Sequence, residues 1–213
     1  MIKNILKEAG FTETCNYSFI GEKEAAIFSP TSPGLVEVEN PLSIEQKYLR
    51  HSLIPNLLKN VQKNQKNFEK IKIFELGKIF RKSKEKSETR AQRRVKKNEC
   101  SSAEKRMLTA VISGDEFYQL KGAVDTLLNK LGISNIWYDE YKPTPEDSKI
   151  AIWHPKKSAE IKIDNEEVGF LGEISQKILA DLKIEGKVCV FDLDFEKLSK
   201  LASEETIYRP VSR

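Results

Sequence analysis

Apolar and polar positions alternate between two periods along this chain. Ile2, Ile5, Leu6 and Ala9 fall on one side of a first helix, and Gly10 is suited to end it. Phe11 to Phe19 then reads as a short strand, roughly residues 13–18. Ser29-Pro30-Thr31-Ser32-Pro33-Gly34 is a loop. Leu35, Val36 and Val38 predict a strand that leads into the central stretch, residues 39–80. There Pro41 opens a turn or short helical segment, and Ser43 with Gln46 has capping-box spacing. Ile54, Leu57, Leu58 and Val61 follow the i, i+3, i+4, i+7 rule of one helical face, with Pro55 near the start, where a missing N–H costs nothing. The opposite face, Asn56, Lys59, Asn60, Lys63 and Asn64, is expected to meet water. After Asn67 the period becomes two. The run IKIFELGKIF is apolar on both faces, which predicts a mostly covered strand.

Further on, residues 107–112 (MLTAVI) predict a covered strand. Residues 117–131 predict the strongest helix, because Phe117, Leu120, Val124, Leu127, Leu128 and Leu131 form one stripe and Gly132 ends it. Gly122 in its middle costs about 1 kcal/mol against alanine, so either a close backbone contact or a merely tolerated glycine is expected there. Residues 135–141 read as a strand, and Pro143, Pro145 and Asp147 mark a loop. His154-Pro155 precedes a hairpin: Ala159, Ile161 and Ile163 alternate, Asp164-Asn165 turns, and residues 168–174 return. A short helix at Ile178, Leu179 and Leu182, a strand at 188–193 and a helix at 195–201 complete the order. Strands joined by hairpins predict an α+β fold, an antiparallel sheet with helices packed to one side.

Composition sharpens this in two places. A length of 213 residues suits one domain, or at most two small ones, and 39% hydrophobic content allows a sizeable core. Net charge is +4, yet residues 82–106 alone hold ten Lys/Arg and four Asp/Glu, a net of +6, which leaves −2 for the rest. Within that segment, residues 83–103 have no apolar period and cannot bury enough surface to offset their ordering entropy. This basic insertion, about 83–105, is read first as a solvated loop, since no aromatic residue is interleaved to stack bases. The competing reading is an arm that touches RNA phosphates. Cys15, Cys100 and Cys189 are scattered, as suits a reducing cytosol, and with His51 and His154 they offer no clustered zinc ligands. No run approaches the roughly 20 apolar residues of a membrane span. No Ser/His/Asp set and no phosphate-cradling glycine motif occurs. His154 could serve as a base, but a turn cap before Pro155 is the favoured role.

Several ordered motifs resemble one family. NPLS-x-EQ-x-x-LR-x-SLIP-x-LL-x-N (residues 40–60), IFELGKIF (73–80), FYQLKGAVDTLLNKLG (117–132), HPKKSAEIKIDNEEVGFLGEI (154–174) and VCVFDLDFEKL (188–198) are similar, in this order, to the β subunit of bacterial-type phenylalanyl-tRNA synthetases. The matched part is that subunit's catalytic-like module. The resemblance implies a class II synthetase fold without catalysis. It also implies association with a catalytic α subunit in an α2β2 heterotetramer, a route for tRNA-Phe through the whole complex, and a cytoplasmic setting. ATP and Mg2+ belong, by the same implication, to the whole enzyme. The β subunit's acidic magnesium cluster would lie before Met1 and its anticodon-contacting domain after Arg213. The abrupt end at Tyr208–Arg213 reads as a cut within a longer subunit.

The departures from active relatives are specific. Active class II enzymes grip ATP with an arginine in a Phe-Arg-x-acid turn, because a guanidinium contacts the α-phosphate in bidentate fashion. Here Phe80-Arg81-Lys82-Ser83 keeps Arg81 and lacks the acid, so Arg81 is a weak ATP candidate whose alternative is the first charge of a solvated loop. The catalytic partner's motif Phe-x-Phe-Gly-x-Gly-x-Glu-Arg corresponds to residues 189–197, where Asp192 and Asp194 replace both glycines and Lys197 replaces the arginine. Two carboxylates beside a triphosphate repel it, and lysine lacks the planar fork. Asp194 is expected to cap the last helix. The predicted function is therefore a non-catalytic assembly module of a phenylalanine–tRNA ligase, inactive by itself. The helices at 54–61 and 117–131 are its candidate interface faces, with core packing as their other use. The alternatives are a self-sufficient class II adenylate-forming enzyme and an RNA-binding module using residues 82–106.

Overall fold

The computed structural model describes residues 1–28, 34–82, 102–141 and 152–202. Helix α1 (Ile2–Glu8) leads through Gly10, whose φ of +86° suits glycine, into β1 (Thr12–Glu13). A small lobe follows. It comprises β2 (Phe19–Ile20), α2 (Glu22–Phe28), a 3-10 turn at Ile44–Gln46 and β3 (Tyr48–Leu49). Then come α3 (Ile54–Asn64), the hairpin strands β4 (Lys72–Lys82) and β5 (Ser102–Ser113), and α4 (Phe117–Lys130). Strands β6 (Ile136–Glu140), β7 (Trp153–Ile163) and β8 (Glu166–Ile174) precede α5 (Gln176–Asp181), β9 (Val188–Asp194) and α6 (Phe195–Leu201).

Seven strands form one sheet in the order β1-β4-β5-β9-β8-β7-β6. Every neighbouring pair is antiparallel except β1–β4, which is parallel. Strands β2 and β3 pair separately. The α+β layout thus matches the sequence reading, but the helices do not lie to one side. Alternate residues of the central strands enter two different cores. Phe74, Leu108, Ala110, Phe191 and Leu171 pack with α1, α4 and α6. Ile73, Val111, Val190 and Ile174 pack with α3 and α5. Strands apolar on both faces need cover on both, and the three-layer arrangement supplies it.

Local differences have local causes. Of the strand expected at 13–18 only Glu13 is strand, in β1; residues 14–18 leave the ladder, Asn16 turning inward to bond Glu75, and β2 begins only at Phe19. Leu35–Val38 forms only a single bridge, Glu37 to Tyr48. Helix α2 has no counterpart in the sequence reading. Ser43 precedes the 3-10 turn without a side-chain cap bond, so the capping-box spacing is not used. Asn56 is buried rather than wet, and its amide donates to the Tyr17 carbonyl at 2.8 Å. Gly122 has nothing within 4 Å of a Cβ placed on it, so its place in α4 reflects no close contact. The basic insertion is shorter than about 83–105 at its far end: β5 begins at Ser102 and pairs Lys82 with Ser102. Residues 83–101, the loop with Pro143 and Pro145, most of the Ser29–Gly34 loop and the end at Tyr208–Arg213 lie outside the described residues. Among the described residues no helix is long and apolar enough to cross a membrane.

Candidate functional site

The chemistry singled out in the sequence converges on one face of the sheet. Register places Glu75 of β4 beside Thr109 of β5, Thr109 beside Asp192 of β9, and Asp192 beside Phe170 of β8. Asp192 and Asp194 follow Val190 on the face covered by α3 and α5, and Arg81 follows Ile79 on that same face. The fold therefore sets Arg81 and the two aspartates on one face with β5 between them, and the Arg81 charge is felt by Asp192.

Their partners show what the face can do. Asp192 accepts a hydrogen bond of 2.5 Å from the Thr109 hydroxyl. Burial pushes its carboxyl up to about 6, although Thr109, Lys105 and Arg81 pull the other way. Asp194 is committed twice. It caps α6, accepting from the backbone N–H groups of Glu196 and Lys197 at 3.0 Å each, and it meets the Lys105 ammonium at 2.8 Å. Burial alone would raise its carboxyl, but Lys105 and the two N–H groups hold it below the usual range. Lys197 points elsewhere: its ammonium donates to the Glu167 carbonyl at 2.5 Å and pairs with Glu166 at 3.2 Å. Arg81 is exposed, and its charge is felt by Asp192 and by His51.

A nucleotide does not fit these residues. Phosphates placed against Arg81 would share this face with two carboxylates on β9, one strand beyond β5, one of them raised in pKa by its surroundings and the other already fully engaged. The arginine's replacement, Lys197, is tied to the β8 side. These residues accordingly support no step through ATP.

Other candidates settle into structural places. His154 lies within β7 rather than at a turn before it, and its Nδ1 accepts from the Lys156 N–H at 3.2 Å. His51 is held neutral: burial and the Arg81 charge lower it to about 4 against a hydrogen bond with the Phe28 backbone. Cys189 is fully buried and its thiol is pushed up to about 11 by that burial; Cys15 is exposed. Among the described residues no group of three or more His, Cys, Asp or Glu is arranged to hold a metal. A surface groove bordered by Lys7, Phe11, Thr12, Glu13, Thr14 and Cys15 lies at the β1 edge, away from this face. The apolar stripes of the two candidate interface helices are spent internally, with Leu57, Leu58, Leu120, Val124, Leu127 and Leu128 fully buried in the two cores.

One feature of the face has no counterpart in the sequence reading. Arg50 and Glu75 form a buried ion pair at 2.6 Å. Arg50 Nε also donates to the Lys78 carbonyl at 2.9 Å, and the Asn16 amide donates to Glu75 at 2.7 Å. Gly77 makes room for it, since a Cβ there would come within 2.5 Å of the guanidinium. The available signal is a lone glutamate on the strand face that otherwise carries Ile71, Ile73, Gly77 and Ile79, which demands a partner.

The family described as phenylalanyl tRNA synthetase beta chain CLM domain matches residues 1–195. The chain is 30% identical over 217 residues to the phenylalanine--tRNA ligase beta subunit of Syntrophus aciditrophicus, and 27% identical over 213 residues to that of Thermotoga maritima. Each alignment covers 100% of this chain and 26% of the relative, so the chain spans about a quarter of their length. Among solved structures, the fold is similar to pyrrolysyl-tRNA synthetase from Desulfitobacterium hafniense, with a TM-score of 0.68 at 17% identity, covering 93% of this chain and 67% of that one. That likeness shows a class II tRNA synthetase fold.

Proposed function

The chain belongs to the phenylalanyl-tRNA synthetase β chain CLM-domain family, and on that premise we propose that it is the non-catalytic assembly module of a phenylalanine–tRNA ligase β subunit, packed on a catalytic α subunit. The whole complex, an α2β2 heterotetramer in the cytoplasm, joins phenylalanine to tRNA-Phe with ATP and Mg2+. This module supplies framework and no reacting group. One observation carries the reading: the position that would need open glycine backbone for a nucleotide holds Asp192 bonded to Thr109 and Asp194 capping α6.

The test is phenylalanine-dependent ATP–pyrophosphate exchange with the chain alone, the α subunit alone and the two combined. The expected result is silence from the chain alone and exchange whenever the α subunit supplies a working site. Exchange by the chain alone would overturn the reading in favour of a self-sufficient adenylate-forming enzyme with Arg81 as a phosphate ligand.

A further inference from the structure

Among the described residues Leu42 is the most exposed large hydrophobic side chain, at 95%, and Ile44 beside it is 68% exposed. Single exposed apolar residues are ordinary. Here two branched ones stand two positions apart on a turn that the small lobe holds firmly. The Gln46 N–H donates to the Ser43 carbonyl at 3.0 Å, and the Val38 N–H to the Lys47 carbonyl at 2.8 Å. Lys47 ties the turn to Glu22 at 2.5 Å and to Glu37 at 3.6 Å. Gly21 lies so close beneath that a Cβ on it would meet the Glu45 Cα at 3.1 Å. The lobe has its own small core, Ile20, Ala25 and Leu35, and neither Leu42 nor Ile44 belongs to it. The turn displays these side chains in a fixed place, so little ordering cost remains to be met on docking.

The charges around them select the class of occupant. Residues 34–47 contain three glutamates and one lysine, a net of −2 in a chain of +4. Lys47 is taken by Glu22 and Glu37, while Glu39 and Glu45 are exposed and have no ion pair among the described residues. A nucleic-acid backbone would bring phosphates against these carboxylates. A second copy meeting this patch about a two-fold axis would set glutamates against glutamates. An apolar pocket rimmed by Lys or Arg on a different protein satisfies both the apolar pair and the acids.

We propose that Leu42 and Ile44 are the anchor by which this module docks on the catalytic α chain, entering an apolar pocket of that chain bordered by basic residues. The assignment of the α chain rests on the assembly reading above. Leu42 and Ile44 supply the buried contact, and Glu39 and Glu45 orient the approach.

The experiment measures the dissociation constant between this chain and the α chain of the same organism, for the wild type and for Leu42→Asp, Ile44→Asp and Trp137→Ala. Trp137 is 64% exposed on β6, the far edge strand of the sheet, and serves as the control. Each aspartate variant is expected to weaken binding by about tenfold or more with an unchanged melting temperature, since the sites are exposed and hot-spot anchors carry such losses. Trp137→Ala should bind as the wild type does. Aspartate variants that bind the α chain undiminished would overturn the anchor while leaving the assembly reading intact, including the case in which another domain of the β polypeptide covers the turn. Failure of the wild-type chain to bind the α chain would overturn both.

Discussion

Asp192 carries a desolvation cost that its neighbours only partly offset. Its carboxyl rises from 3.8 to about 6. A raised carboxylate acts on stability with a definite sign. Below about pH 4 it is protonated both folded and unfolded and contributes nothing. Between about pH 4 and 6 the folded state keeps a proton that the unfolded state has lost, so stability falls as pH rises; above that window the penalty stays constant. Asp192→Asn keeps an acceptor for the Thr109 hydroxyl and removes the charge. It should raise stability at pH 7.5 by about 1–3 kcal/mol, with the gain vanishing near pH 4. Thermal melts at the two pH values check this, and a gain independent of pH would contradict the buried-charge account. At this scale the sequence is legible where a residue's partner is its own backbone neighbour. An aspartate just before a helix caps it, and Asp194 does. It is opaque where the partner comes from another strand. Thr109 and Arg50 meet Asp192 and Glu75 only through register and chain crossing, across 83 and 25 positions.

Among the elements, those with a sustained period are readable and those without one are not. Helices α3, α4 and α6 each show an apolar stripe, and their observed spans follow it closely. Strands β1, β2 and β3 are two residues long, too short to show alternation, and they exist because Asn16, Ser18 and Arg50 bond across to β4 and to one another. The two-faced apolar run of β4 marks a covered strand, as the structure shows, and a strand covered on both faces requires helices on both. The expectation of helices on one side alone conflicts with that run. Gly122 offers a test of the element itself. It is exposed inside α4, has open space at its Cβ position, and its carbonyl accepts a side-chain bond from the Thr126 hydroxyl. Gly122→Ala should therefore stabilise the chain by about 1 kcal/mol, the difference in helix propensity, and raise the melting temperature by about 2–4 °C. A lower melting temperature would reveal a close contact at this helix face.

For the molecule as a whole, the sheet is shared property. Its central strands send alternate side chains into two cores, so neither layer of helices has a complete core without the strands that serve the other. The small lobe is fastened to the same sheet through the Arg50–Glu75 pair and through the Phe80 N–H, which donates to the Arg50 carbonyl at 2.9 Å. This interdependence argues for a single cooperative unfolding unit, although a chain of 213 residues exceeds the size at which two-state behaviour is the rule. Each core contains its own reporter. Cys189 is fully buried in the layer of α1, α4 and α6, where burial also suppresses its thiolate. Trp153, 7% exposed, sits in the layer of α3 and α5, while Trp137 is largely in water already and contributes little change. With Cys15 and Cys100 replaced by serine, thiol labelling of Cys189 and the fluorescence shift of Trp153 can be followed along one urea gradient. The two curves should share a midpoint and a slope, because the strands that expose Cys189 carry Val190 and Val188 out of the Trp153 core in the same step. Labelling of Cys189 at lower urea than the Trp153 transition would mean that the helices of one face can leave while the sheet and the opposite layer persist, and the common-sheet account of stability would fail.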